Sequence, residues 1–400
     1  MTDGVALAHD YATQRGGAER VALLLAQAFP GSPLYTTLYD PAGTFPEFGS
    51  LDVRPGPLNR VAPLRHHHRA ALPFLAPAVS TQKVDADVLV ASSTGWAHGY
   101  RGARRTVVYC HAPARWLYQR DKYLSGDAGA RVADRARHAV AGAALGVLAS
   151  PLRAWDRRAA AHADVYLVNS TVTQRAVRAA YGIEAEVLAP PPALLPTGDG
   201  AAPARAVDGI APGYVLCVAR LLPYKNVDLV LDAVGRLGDR RLVVVGDGPD
   251  RARLEGLARA AGNVPATSDG SGGGALPGAG EPRVRLLGRV DDAELRWLYE
   301  NAGLLAAASY EDYGLSPLEA GAFGVPTVAL RDGGYLDTVA DGVNGVFFDA
   351  PDPVEIASAL DRATTVAWDD QALAAHVARF GTGRFLDKIR AVVEQQRHDG

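Results

Sequence analysis

Glu311 and Glu319 are separated by seven residues in the run Glu311-Asp-Tyr-Gly-Leu-Ser-Pro-Leu-Glu319, which follows the apolar stretch Leu304-Leu-Ala-Ala-Ala-Ser309. The apolar stretch reads as a buried strand and the residues from about Ser316 as a helix. The turn between them therefore aims free N–H groups and the positive end of a helix dipole at whatever sits beyond the strand. Such a turn seats an anion. Gly314 lets the backbone approach a phosphate closely, Glu311 precedes the helix at its mouth, and Glu319 lies about one turn inside it. A pair of glutamates at this spacing is also what any solvent-facing helix can show, so the residues around the pair decide its weight.

Counter-charges occur where a phosphate would need them. Val218-Ala-Arg220-Leu-Leu-Pro-Tyr-Lys225 places Arg220 at the end of a second apolar run and Lys225 just before a helix. Arginine offers a fork to phosphate oxygens and lysine a point charge, and both would offset charge building on a leaving diphosphate. Val243-Val-Val-Gly246-Asp-Gly248-Pro-Asp250 reads as strand, tight turn and helix, a combination that usually approaches a nucleotide. Arg251 stands where the third glycine of G-x-G-x-x-G belongs, which argues against a dinucleotide site.

Gly16 and Gly17 follow the first strand-like run and open a helix, either as a phosphate-facing loop or as an ordinary βα turn. His111 ends another apolar run, with Pro113 and Arg115 just after it, a strand-end setting that suits function better than packing.

Short apolar runs alternate with amphipathic segments through both halves of the chain, the signature of βαβ units and parallel sheets. Four hundred residues exceed what one core usually serves, which favours two domains of roughly 150–200 residues. Leu188 to Gly213 is rich in Pro, Gly and Ala without periodicity and marks the join. Two such domains place a ligand crevice at the carboxyl ends of their strands, and the expectation is an interdomain site. Asn263 to Pro282 reads as a Gly-rich surface insertion, and Ala139 to Ser150 as a buried helix too short to span a membrane. Asp291-Asp-Ala-Glu294 is a capping-box pattern.

The formal charge of −3 supplies no global attraction to nucleic acid, and none is expected as a partner. Cys110 and Cys217 lie in separate apolar runs, which suits reduced, buried thiols and a cytoplasmic setting. The first residues lack the basic and apolar regions of a signal peptide. Arg60, Arg65, His66, His67, His68 and Arg69 form a basic cluster beside an apolar run. It fits a solvated loop flanking a buried helix as well as peripheral contact with anionic head groups.

The Glu-x7-Glu-Ala run, the small-residue helix and Val325-Pro-Thr-Val-Ala329, with Arg220 and Lys225, resemble the signature of the retaining glycosyltransferases of family 4. The His111-x-Pro-x-Arg115 stretch resembles the bacterial mannosyltransferase-type members, as does the run through Ser92, Ser93 and His98, which the resemblance makes candidates for lining the acceptor side. Arg331-Asp-Gly-Gly-Tyr335 to Phe348 resembles the family's Gly-Gly segment and D-G-x-N-G turn. Asp337 stands there where glutamate is more usual.

The resemblance implies an α/β chain of the GT-B fold, two Rossmann-like domains facing each other across a cleft. It implies an acceptor-binding domain over 1–190, a linker over 191–213 and a nucleotide-sugar-binding domain over 214–378, with 379–400 returning to the N-terminal domain through a helix over Phe385 to Gln396. By the same resemblance Glu311 and His111 meet the donor sugar, and Tyr313, Gly314 and Leu315 hold sugar hydroxyls and phosphate. Glu319 bonds the ribose, Arg220 and Lys225 serve the diphosphate, and Gly16, Gly17, Gly246 and Gly248 lie near phosphate or base. The implied reaction moves a hexose from a nucleoside-diphosphate sugar, GDP-mannose before UDP- or dTDP-hexose, to a hydroxyl of a glycan, lipid-linked glycan or natural product. It needs no metal or other cofactor, since basic groups stand in for a divalent cation. An epimerase or phosphorylase of the same fold, or a nucleotide-sugar-binding protein without activity, is the alternative.

Overall fold

The computed structural model describes residues 4–66, 68–118, 149–196, 203–238, 240–261 and 283–398. The chain divides into two compact units, Met1–Pro190 with Thr382–Gly400, and Pro191–Gly381.

In the first unit seven strands form one sheet: β1 (Val5–His9), β2 (Leu34–Thr36), β3 (Val53–Pro55), β4 (Val88–Ser93), β5 (Arg105–Cys110), β6 (Val165–Val168) and β7 (Glu186–Val187). Their order is β3-β2-β1-β4-β5-β6-β7, with every pairing parallel. The direction of winding reverses between β1 and β4, which makes the carboxyl ends of those two strands the natural crevice. Both faces are buried, and the two-residue period sorts side chains between them. Val5 and Leu7 of β1 join Val88 and Val90 of β4 in one cluster, while Ala6, Ala8, Leu89 and Ala91 join another.

The chain's last helix, Thr382–His398, covers the first of those faces with Phe385, Leu386, Ile389, Val392 and Val393 at amphipathic spacing, against Val21, Ala22 and Leu25 of the Gly17–Ala28 helix. Arg390 Nε donates to Ala28 O at 3.1 Å and so satisfies a carbonyl that helix leaves free.

The second unit repeats the plan with β8 (Tyr214–Val218), β9 (Leu242–Val245), β10 (Val284–Gly288), β11 (Ala302–Ala307), β12 (Thr327–Leu330) and β13 (Gly345–Phe348). The order is β10-β9-β8-β11-β12-β13, again parallel throughout, with the reversal between β8 and β11. Tyr214, Leu216, Val243 and Val245 face one cluster, and Val215, Cys217, Leu242 and Val244 the other. The Pro-rich join is not a free tether: Leu194 and Ile210 are buried in the second unit's core, and Arg285 donates to Gly209 O at 3.0 Å.

The capping box at Asp291 is present, with the Asp291 carboxylate accepting from Glu294 N at 2.9 Å and the Glu294 side chain from Asp291 N at 3.1 Å. Both cysteines are free and buried, and burial pushes the Cys217 thiol up to about 12. The Asn263–Pro282 insertion and His67 lie outside the described residues, as does Ala139–Ser150 but for its last two residues. No helix of the described residues is long and apolar enough to cross a membrane.

Candidate active site

The loops that leave β8 and β11 meet at the second unit's point of reversal, and Arg220, Lys225 and Glu311 sit on them, with Glu319 in the helix that follows. After β8 the chain passes through Arg220 into a tight turn, Pro223–Lys225, and enters the Val227–Arg236 helix at Asn226. Asn226 is the non-glycine residue with positive φ (55°) among the described residues. Its Nδ2 donates to Ala308 O at 2.8 Å, so this left-handed residue staples the β8 loop to the end of β11.

That staple sets Lys225 beside Glu311, and Lys225 Nζ forms an ion pair with Glu311 Oε1. Ser309 Oγ donates to the same carboxylate oxygen at 2.6 Å and lies 3.5 Å from the buried Tyr335 hydroxyl. Glu311 is thus held from two sides while 28% of its side chain stays exposed, and Lys225 is 12% exposed. Arg220 is exposed and its guanidinium has no partner among the described residues. The ring of Tyr224, itself exposed, lies 5.0 Å from Lys225 Nζ.

The helix after β11 runs Leu315–Ala322, one residue earlier than its expected start. Gly314 precedes it at φ 87°, and no side chain caps its first turn. Its leading N–H groups therefore remain for a ligand or water. A Cβ on Gly314 would lie 2.6 Å from the Tyr335 ring, so both conformation and space demand glycine. Gly333 and Gly334 pack against Glu311 and Tyr313 in the same way, and Gly334 N donates to Glu311 O at 2.7 Å. Within the helix, Glu319 Oε2 accepts from the buried Tyr299 hydroxyl at 3.0 Å. Tyr313 is buried, and its hydroxyl is raised well above its ordinary range by burial and then by Asp337. Asn344 of the Asp-Gly-Val-Asn-Gly run closes a turn instead, accepting from Ala340 N at 2.7 Å and donating to Thr338 O at 3.1 Å.

Gly246 and Gly248 occupy a more constrained position than an open turn. A Cβ at Gly246 (φ 129°) would stand 1.9 Å from Ala219 O, and one at Gly248 2.2 Å from Leu221 O. Both glycines thus let the β9 loop lie against the backbone that carries Arg220, tied by Leu221 N to Asp247 O at 3.1 Å. Gly246→Ala is expected to cost at least about 2 kcal/mol, through strain and clash together. A denaturant titration reads it, and an unchanged midpoint would refute the packing role.

In the first unit the corresponding loops follow β1, β4 and β5. Asp10, buried at the end of β1, accepts from Trp96 N at 3.2 Å and Ala97 N at 2.5 Å, and also from Thr94, so it fixes the turn after β4. His111 is buried after β5, with Nε2 2.8 Å from Ser92 Oγ, and burial drives its pKa down to about 3. Ser93 Oγ lies 3.0 Å from His98 Nδ1, and His98 Nε2 is 3.0 Å from Asp156 Oδ1 without hydrogen-bond geometry. Ser92, Ser93 and His98 are therefore enclosed in internal networks rather than lining a surface.

Gly16 is the N-cap of the Gly17–Ala28 helix, and Glu19 at its third position folds back over it, so that a Cβ on Gly16 would lie 2.6 Å from Glu19 Oε2. Glu19 is almost fully buried, Oε2 has no hydrogen-bond partner, and burial raises the carboxyl to about 7. Its folded-state pKa stands above the unfolded value, so its stabilising contribution is full below about pH 4.5 and is lost as pH rises through about 7. Glu19→Gln keeps the neutral shape and removes that dependence. The variant should gain stability over the parent between pH 5 and 8, up to about 3 kcal/mol. Parallel melting curves across that range would refute the assignment.

The sequence reading passed over Asn226, Ser309, Tyr299, Tyr335, Asp10 and Glu19. Glu19 carried a legible signal, since it stands three residues after the Gly16 cap. The rest depend on contacts between distant segments.

Two doubly wound parallel sheets, each with its charged or polar loops at its point of reversal, define the class: an α/β protein of the GT-B fold. Residues 15–190 match the family model Glycosyltransferase Family 4, and residues 212–365 match the model Glycosyl transferases group 1. The chain belongs to the family 4 type of glycosyltransferases.

Among curated relatives, it is 34% identical over 185 residues to the D-inositol 3-phosphate glycosyltransferase of Mycolicibacterium paratuberculosis, covering 44% of this chain and 39% of that protein. It is 32% identical over 205 residues to the enzyme of the same name from Mycolicibacterium smegmatis, covering 49% and 44%. The matched region thus spans less than half the length of these relatives. Among solved structures, Anabaena HepE in complex with UDP and glucose superposes with a TM-score of 0.64 at 17% identity, covering 98% of this chain and 99% of that one. Sucrose-phosphate synthase from Thermosynechococcus elongatus does so with a TM-score of 0.63 at 18% identity, covering 99% and 100%. At these identities the likeness is one of fold.

Proposed function

We propose that this chain transfers a hexose from a nucleoside-diphosphate sugar to an acceptor hydroxyl with retention at the anomeric carbon. The observation that carries the reading is Glu311, held by Lys225 and Ser309 at the mouth of an uncapped helix. A diphosphate seated on the Leu315–Ala322 helix would have Lys225 and Arg220 as counter-charges, and its bond to the sugar would lie beside Glu311. As that bond breaks, negative charge on the leaving phosphate is met by Lys225, Arg220 and the helix N–H groups. Glu311 offsets positive charge on the oxocarbenium-like ring. An oxygen of the leaving phosphate takes the acceptor's proton on the same face, so no separate strong base is required. Glu319, oriented by Tyr299, holds the ribose hydroxyls. In this scheme no metal is needed, because fixed cations occupy its electrostatic role.

His111-Ala-Pro-Ala-Arg115 favours GDP-mannose as donor, while HepE was solved with UDP and glucose. The curated relatives' name makes an inositol phosphate one acceptor to test beside glycans, lipid-linked glycans and natural products.

A thermal-shift panel of GDP, UDP and dTDP with their hexose conjugates tests the reading. The correct nucleotide at a hundred times its Kd should add about 2.7 kcal/mol of stability. Glu319→Ala should abolish most of that gain, since one charged hydrogen bond to ribose is worth about 1.5–3 kcal/mol. Absence of any shift across the panel would overturn the donor class, and binding without transfer or slow donor hydrolysis would favour a sensor.

A further inference from the structure

His9, Ser92 and His111 stand side by side at the ends of β1, β4 and β5. The sheet register sets His9 opposite Ser92 and Ser93 opposite Cys110, the residue before His111. Ser92 Oγ lies 3.0 Å from His9 Nδ1 and 2.8 Å from His111 Nε2. All three residues are buried, Ser92 completely. His111 Nδ1 has no partner among the described residues.

The proton count restricts this row. A serine hydroxyl carries one proton, and a neutral imidazole carries one N–H shared between two nitrogens. Burial holds both rings neutral, against Asp10 beside His9 and with Arg115 beside His111 acting in the same direction as burial. Ser92 can donate to only one of the two nitrogens facing it, so the other must donate to Ser92 or lose its bond. The backbone of Ser92 chooses between the arrangements: its carbonyl oxygen, which can only accept, also bonds the His9 ring, so the His9 nitrogen facing Ser92 is the one that carries the proton.

We propose that His9 and Ser92 are positioning residues that fix the His111 tautomer. His9 Nδ1–H donates to Ser92, Ser92 donates to His111 Nε2, and His111 is left with its proton on Nδ1, as an N–H donor for an oxygen of the bound sugar. The assignment makes His111 a hydrogen-bond donor and not a proton acceptor at its open nitrogen. Its consequence for transfer rests on the reading of His111 as a donor-sugar contact, whereas the tautomer itself does not.

The experiment is a long-range proton–nitrogen correlation spectrum of the full chain with labelled histidine, the His9 and His111 rings being assigned from His9→Asn and His111→Gln. The expected spectrum shows His111 protonated at Nδ1 and unprotonated at Nε2, and His9 protonated at Nδ1. A His111 protonated at Nε2 in the parent chain would overturn the proposal, whatever the variants do.

Ser92→Ala and His9→Leu should each redistribute the His111 proton and raise KM for the donor sugar about tenfold, the worth of one hydrogen bond. His9→Asn, whose amide N–H reaches nearly the same point as Nδ1–H, should retain the parent spectrum and KM. Melting curves separate these effects from loss of fold. If His111→Gln transfers sugar at the parent rate while the parent spectrum is as expected, the sugar-contact reading fails and the tautomer assignment stands.

Discussion

Replacing Glu311 with alanine is expected to reduce transfer by about a thousandfold while the second unit stays folded, the scale at which removal of one aimed electrostatic group usually registers. Among the described residues the carboxylate's side-chain partners are Lys225 and Ser309, and part of it already meets solvent. Its loss leaves Lys225, largely buried beside the Tyr224 ring, without its carboxylate, so some stability is lost with the rate and the melting curve separates the two. Glu311→Gln separates charge from shape. The amide oxygen still accepts from Ser309, but it supplies no negative charge to an electron-poor ring. A rate close to that of Glu311→Ala would locate the effect in charge, and a rate close to the parent would locate it in shape. Turnover by Glu311→Ala within a few-fold of the parent would remove Glu311 from the reaction. Steady-state transfer with a saturating acceptor, read beside a melting curve, makes the measurement.

Lys225→Ala carries the second large effect, an expected loss of about a hundredfold in kcat, with weaker donor binding alongside. Lys225 answers charge at two moments. In the ligand-free chain it neutralises Glu311, and with a diphosphate in place its ammonium would be shared with phosphate oxygens. Its removal therefore leaves Glu311 facing the incoming diphosphate without a neutralising partner, which opposes binding, and leaves the departing phosphate short of one cation, which opposes bond cleavage. Lys225→Arg is expected to recover only part of the loss, because a planar fork does not fill the place of a compact ammonium pressed between Glu311 and Tyr224. A donor with a more acidic leaving group should narrow the gap between Lys225→Ala and the parent. An equal gap for both donors would assign Lys225 to binding alone.

Much of this was legible in the order of residues. Runs such as Val88–Ser93, Arg105–Cys110, Tyr214–Val218 and Leu242–Val245 are apolar enough to be read as strands buried on both faces, and the helices between them follow from amphipathic spacing. β2, β3 and β7, of two or three residues each, were not read, because so short a run carries no period and pairs only when a neighbouring strand presents its edge, and β13 was not read because its run starts inside the Asp-Gly-Val-Asn-Gly turn. The join after Leu188 was visible as a change of composition, but not that Leu194 and Ile210 anchor it in a core.

The sequence by itself determined which chemistry the chain can support: Glu311, Gly314, Glu319, Arg220 and Lys225 are types and spacings set locally by a strand end, a turn and a helix start. Only the tertiary structure decided how they act together. Lys225 and Glu311 are far apart in the chain and meet because β8 and β11 are neighbours in the sheet, and because Asn226 binds one loop to the other. The same adjacency of β1, β4 and β5 turned Ser92 inward between His9 and His111 and enclosed Ser93 and His98, where the resemblance implied an acceptor-side lining. Spacing along the chain fixes which side chains share a turn. Which strand lies beside which, and therefore which loops meet, is fixed by burial of whole sheet faces, a property no single segment contains.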